Sequence, residues 1–95
     1  MPKGYLIAHI RVHDPEEFER FKDLAQRAIA AHGCRVLVRN PAPEVKEGSL
    51  TGRAIVIEFD DIAAARAFYD SDAYRAARAE REVSAETDLM LVEGV

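Results

Sequence analysis

The chain has one cysteine, no apolar run approaching the length of a membrane span, and no surplus of positive charge. Each shortage excludes something. Cys34 alone can form neither an internal disulfide nor half of a CxxC zinc knuckle, so stability has to come from packing or oligomerisation. The apolar runs fall far below the roughly 20 residues that cross a bilayer, and Met1-Pro2-Lys3-Gly4 is unlike a secretory signal. A soluble cytoplasmic protein with no membrane partner is expected. With 13 Lys and Arg against 17 Asp and Glu, net charge -4, and no basic cluster set apart from acids, nucleic acid is not expected as a partner either. Catalytic motifs are equally scarce. There is no Ser-His-Asp arrangement and no dinucleotide fingerprint, and Gly48 and Gly52 are separated by polar residues that do not join a strand to a helix. No cofactor is expected.

What remains is enough for one domain over all 95 residues. Sixteen of the apolar residues are alanine, so the larger side chains available for a core are adequate rather than lavish. From Tyr5 to His13, Leu6, Ala8, Ile10 and Val12 alternate with Tyr5, Ile7, His9, Arg11 and His13, the period-two pattern of a strand. Asp14-Pro15-Glu16-Glu17 then supplies an N-cap acid, a proline at the first helical position and acids in the first turn. The helix carries its apolar stripe on Phe18, Phe21, Leu24, Ala25, Ala28 and Ile29 and stops at Gly33. Cys34 to Arg39 alternates as a second strand, with Cys34, Val36 and Val38 expected toward the helices, and Asn40-Pro41 ends it. A long loop to Gly52 precedes a third strand, Arg53 to Phe59. Ile62 to Tyr69 reads as a helix, interrupted at Asp70-Ser71-Asp72 and resumed from Ala73 to about Glu82 with Ser71 as N-cap. A polar bend through Ser84 to Glu86 then leads to a fourth strand, Thr87 to Glu93. This order predicts an α+β fold, a ferredoxin-like βαββαβ sandwich whose four-stranded antiparallel sheet has strands one and three in the middle.

With the helices on one side, the other side of the sheet is left to Tyr5, Ile7, His9, Arg11, Arg35, Leu37, Arg39, Ala54, Val56 and Glu58. A water-facing sheet should be mostly polar, yet Tyr5, Ile7, Leu37 and Val56 occupy its middle. A second copy is the economical cover. Two sheets packed about a twofold axis would make a homodimer, a dimeric α/β barrel with helices outside.

The segments Gly4-Tyr5-Leu6-Ile7, Asp14-Pro15-Glu16, His32-Gly33 before Arg35-Val36-Leu37-Val38-Arg39, Glu47-Gly48, Ile57-Glu58-Phe59, Ala64 to Ser71, Ala73-Tyr74 and Leu91 to Val95 together resemble domain-of-unknown-function family 1330. The resemblance runs nearly end to end. It implies membership of the dimeric α/β-barrel superfamily, whose relatives include cofactor-independent monooxygenases, haem-degrading enzymes and stress-response proteins. Cys34 stands where that family usually repeats glycine, and Asp60 and Asp72 where proline is frequent. These departures bear on turn shape and leave the implied fold intact.

Two groups of residues could carry chemistry. His9, Arg11, Arg35, Arg39 and Glu58 share the bare sheet face, either as an acid/base and anion-holding group, with His9 as candidate base, or as ion pairs that fix the register of two subunits. Around the helix break, Tyr69, Ser71, Tyr74 and Arg78 could present a phenol and a guanidinium to a small carboxylate or enolate, Tyr74 and Arg78 being four apart on one helical face. The alternative makes Tyr69 core, Ser71 a cap and Arg78 solvated. No metal is expected, because His9 and His13 lie about 13 Å apart along a strand and no ligand-spaced motif occurs. Cys34 reads as a small buried hydrophobe. The expected function is binding of a small anionic or aromatic metabolite by a homodimer. The alternatives are a cofactor-independent enzyme (proton transfer, isomerisation or monooxygenation of an aromatic or enolisable substrate, with Arg35 or Arg78 as anion holder) and a non-catalytic structural dimer.

Overall fold

Every second residue of the first strand, Leu6, Ala8 and Ile10, is buried, and the strand they anchor organises the rest. In the computed structural model, which describes residues 1–95, the elements are β1 (Gly4–Val12), α1 (Pro15–His32), β2 (Arg35–Asn40), β3 (Arg53–Phe59), α2 (Ile62–Asp70), α3 (Asp72–Ser84) and β4 (Ala85–Glu93). The sheet order is β2-β3-β1-β4 with every neighbour antiparallel. This is the βαββαβ order, with β1 and β3 central and the second crossover helix broken in two. No helix is long and apolar enough to cross a membrane.

The caps sit where the sequence places them. Asp14 Oδ1 accepts from the Glu17 amide at 3.2 Å, and Gly33 ends α1 at φ 63°, the left-handed region open to glycine. At the α2–α3 break Ser71 serves both helices: its Oγ donates to the Phe68 carbonyl at 2.7 Å and accepts from the Tyr74 amide at 3.2 Å. Leu6, Ala8, Ile10, Ile57 and Phe59 from the sheet meet Phe18, Phe21, Ala65, Phe68, Tyr74 and Ala77 from the helices to form the core.

Two expectations are corrected. The polar bend between the last helix and the last strand is absent, because α3 continues to Ser84 and β4 begins at Ala85. Ser84 is fully buried, its hydroxyl donates back to the Glu80 carbonyl at 2.8 Å, and its own carbonyl accepts from the His13 and Asp14 amides at 2.9 and 3.1 Å. Those bonds satisfy the helix end without a loop. The second correction concerns β2, which runs from Arg35 to Asn40 and contains a bulge. Val36 pairs with Ile57 but Val38 pairs with Val56, so Leu37 is an extra residue. One extra residue inverts the alternation beyond it. Val38 therefore lies on the open face beside Val56, and Arg39, opposite Ile55, turns to the helix side.

Candidate functional site

The helical layer covers the sheet unevenly. α1 takes α3 as its main neighbour, whereas α2 lies directly on β1, β3 and β4. α1 buries Phe18, Phe21, Ala25 and Ala28, and α2 buries Ala65 and Phe68. Between α1 and the β2–β3 edge there remains a cavity of about 340 Å³, within the usual size of small-molecule sites. Its buried wall includes Leu6, Ile10, Phe18, Phe21, Ile57 and Tyr74; its exposed rim carries Glu19, Lys22, Asp23, Gln26 and Arg39, with half-buried Arg53 beside them. An apolar interior with a charged mouth suits a molecule that is greasy at one end.

Tyr74, 3% exposed, is the one phenol in this wall. Arg81 Nη1 donates to its oxygen at 2.8 Å. Burial pushes the phenol's pKa up, and the neighbouring Arg81 charge offsets part of that rise, so Tyr74 stays protonated at neutral pH. Because its oxygen already accepts from Arg81, the phenol's own hydrogen is what it can offer an acceptor. Arg81 is itself 5% exposed, leaves its Nε without a partner, and lies 5.6 Å from the Phe21 ring centroid. Next to this pair, Arg78 Nη1 donates to Tyr69 Oη at 2.9 Å and stacks on that ring at 4.2 Å.

The open sheet face has a different character. Arg35 Nε donates to Glu58 Oε1 at 2.7 Å, Arg35 Nη2 to Asp60 at 3.2 Å, and Tyr5 Oη to Glu58 Oε2 at 3.3 Å. The Arg35 hydrogen bond, ahead of its charge, holds the Glu58 carboxyl below the ordinary carboxylate range. At the opposite end Arg11 Nη2 meets Asp88 at 3.1 Å. Charges at both ends are thus paired within the chain, and an apolar belt of Ile7, Val56 and Met90, extended by Leu37 and Val38, lies between them. Leu37 and Met90 are 52% and 53% exposed, far beyond core values. His9, between Ala54 and Asp88 in register, has a buried Nδ1 without a hydrogen-bond partner.

The residues singled out from sequence therefore divide between two places. His9, Arg11, Arg35 and Glu58 share the open face, while Arg39 does not. Tyr69, Ser71, Tyr74 and Arg78 gather at the α2–α3 break, but only Tyr74 reaches the cleft, and its guanidinium partner is Arg81 instead of Arg78. Ser71 is engaged as a cap. Cys34 is half-buried, donates to the Ile29 carbonyl at 3.6 Å, and has its thiol pKa raised, mainly by burial. Sequence reasoning overlooked Arg39 as a cleft residue, Arg53 and Arg81. A signal for Arg81 existed: it falls on the stripe Tyr74, Ala77, Arg81, Ser84, at helical spacing.

The sequence matches the family described as "Domain of unknown function (DUF1330)" over residues 3–95. No curated protein matches it. Among solved structures it is similar to a dimeric ferredoxin-like protein of unknown function from Thermobifida fusca (19% identity, covering 97% of this chain and 91% of that one, TM-score 0.67). A proposed antibiotic biosynthesis monooxygenase from Caulobacter crescentus is similar at 21% identity, with coverages of 99% and 91% and a TM-score of 0.68. So is a DABB family protein with a ferredoxin-like fold from Mesorhizobium loti, at 18% identity, coverages of 100% and 97% and a TM-score of 0.70. At such identities the likeness is one of fold, and that fold is ferredoxin-like.

The Tyr74–Arg81 contact generates a stability prediction. Tyr74→Phe strips a buried guanidinium of its acceptor and should cost about 1–3 kcal/mol in urea denaturation, whereas Arg81→Met added to it should recover much of the loss. An unchanged midpoint for Tyr74→Phe would show that Arg81 finds another acceptor.

Proposed function

The chain belongs to the DUF1330 family, and from that membership and the cleft beneath α1 we propose that it is a homodimeric α/β barrel that binds a small anionic or aromatic metabolite. One observation carries the reading: the cavity of about 340 Å³, apolar within, with the Tyr74 phenol in its wall and charges at its rim. The ligand packs its apolar part between α1 and the sheet, and its polar part stays near the rim. Binding draws on burial of apolar surface in a largely preformed space, with Tyr74 as a fixed hydrogen-bond donor. In a thermal-shift screen, aromatic and aliphatic carboxylates should raise the melting temperature of the wild type. They should do so far less for Ala25→Met, which extends a buried cleft residue into the space. Silence across carboxylates and phenols would remove the binding reading and leave a non-catalytic structural dimer.

The belt of Ile7, Val56 and Met90 supports the dimer. Apolar side chains flanked on both ends by ion pairs form a self-complementary surface, and a twofold axis lets each belt cover the other. The similar protein from Thermobifida fusca is described as dimeric, which favours the same arrangement. In sedimentation at micromolar concentration the wild type should have twice the 10.6 kDa chain mass, and Val56→Glu should have the mass of one chain. A wild-type chain that sediments alone would end the barrel reading.

A second reading, a cofactor-independent enzyme, draws on His9. Its buried, unpartnered Nδ1 on the open face would lie between two sheets in a dimer, shielded from water and free to exchange a proton with an enolisable substrate. Arg35, already shared between Glu58 and Asp60, or Arg78, already held by Tyr69, is the candidate anion holder. If this reading holds, His9→Ala should abolish solvent deuterium exchange into such a substrate while the dimer stays folded. An unchanged exchange rate would remove His9 from the mechanism.

A further inference from the structure

The bulge in β2 turns Arg39 to the cleft side, where Arg53 of the adjacent strand, opposite Ile10 of β1, also lies. Arg39 is opposite Ile55, and Arg53 lies two residues from Ile55 on the same face. That makes them diagonal neighbours, about 7–8 Å apart at the backbone, within reach of one another's long side chains. Neither forms a salt bridge. Arg39 has only a 3.5 Å contact from Nη2 to Gln26 Oε1. Arg53 sets its guanidinium carbon 4.9 Å over the Phe18 ring centroid and makes no side-chain hydrogen bond, so its N–H donors are unused within the protein. The other charged groups at the mouth are Lys22, which pairs with Glu19 at 3.0 Å, and Asp23. The mouth is therefore net positive in a chain whose formal charge is -4.

We propose that Arg39 and Arg53 form a clamp for the carboxylate of an amphipathic acid, whose aromatic or branched apolar tail fills the cleft toward Tyr74. This rests on the cleft reading above and adds the ligand's class and its orientation, acid outward and tail inward. Guanidinium groups from two strands can donate to both oxygens of one carboxylate, and charge-assisted bonds of this kind are about twice as strong as neutral ones. Phe18 holds one member in place, so less side-chain freedom is lost when the acid arrives. A neutral analogue of the same shape keeps the apolar contacts and loses the clamp.

The test is isothermal titration of the full chain with 4-phenylbutyrate and with its primary amide. The wild type should bind the acid about tenfold tighter than the amide, the size expected of one well-made charge-assisted contact. That preference should shrink as sodium chloride is added. Arg39→Gln, at an exposed position, should bring acid affinity close to that of the amide, lowering acid affinity more than amide affinity because the amide carbonyl accepts only a weaker bond; Arg53→Lys, which keeps the charge but removes the fork, should give an intermediate value. Equal binding of acid and amide by the wild type, or a preference that survives Arg39→Gln together with Arg53→Gln in a natively folded chain, would overturn the clamp while leaving the cleft a binding site. Binding of neither compound would overturn the cleft reading and the clamp with it.

Discussion

A pleated sheet with all its helices on one side presents its alternate residues to two unlike surroundings, and most of this protein's features answer that constraint. Leu6, Ala8, Ile10, Ile57 and Phe59 supply the covered side. The intervening residues have no helix to meet. They sort themselves along the strands, with arginine–carboxylate pairs at the ends and Ile7, Val56 and Met90 in the middle. This sorting explains why the charges of the open face have little left to offer a ligand. Glu58 is held ionised by Arg35, and Arg11 is occupied by Asp88. Such pairs define where an apolar belt begins and ends, which is a task of shape and register more than of affinity.

The covered side has the opposite economy. Its charged groups are few, and several lack an ionic partner: Arg81 has a phenol, Arg53 a ring face, Arg39 an amide. Guanidinium tolerates these substitutes because it is broad, planar and weakly hydrated. The result is a cleft whose wall is greasy but whose surroundings are electropositive. The irregularity at Leu37 matters here, since it allows Arg35 and Arg39, four residues apart on one strand, to serve opposite sides of the sheet.

The element order, the caps at Asp14 and Ser71 and the left-handed stop at Gly33 were legible in the sequence because each rests on a local residue preference. The central strands were legible because His9 and Arg11 alternate with Ala8, Ile10 and Val12 in one, and Glu58 between Ile57 and Phe59 fixes the phase of the other. In β2 that signal fails. Val36-Leu37-Val38 is apolar throughout, so neither phase exposes a polar residue wrongly and nothing in the pattern locates the extra one. Ser84 misled for another reason: serine reads as a turn former, whereas here its hydroxyl closes a helix end against the Glu80 carbonyl. Met90 and Val92 reach the open face by the alternation of the last strand, opposite Ile7 and Tyr5. The cleft itself lies between α1 and the sheet edge, a spacing that arises only when the layers meet.

The direct passage from Ser84 to Ala85 leaves the chain no slack at that junction. A single inserted residue there would advance β4 by half a pleat, turning Leu89 and Leu91 to water and Met90 and Val92 into the helical layer. The long connection before Gly52 is the opposite kind of place, where added length costs little chain entropy. A tag, a reporter or a grafted recognition loop therefore has a natural port of entry between Pro41 and Thr51, and none at the last helix's end.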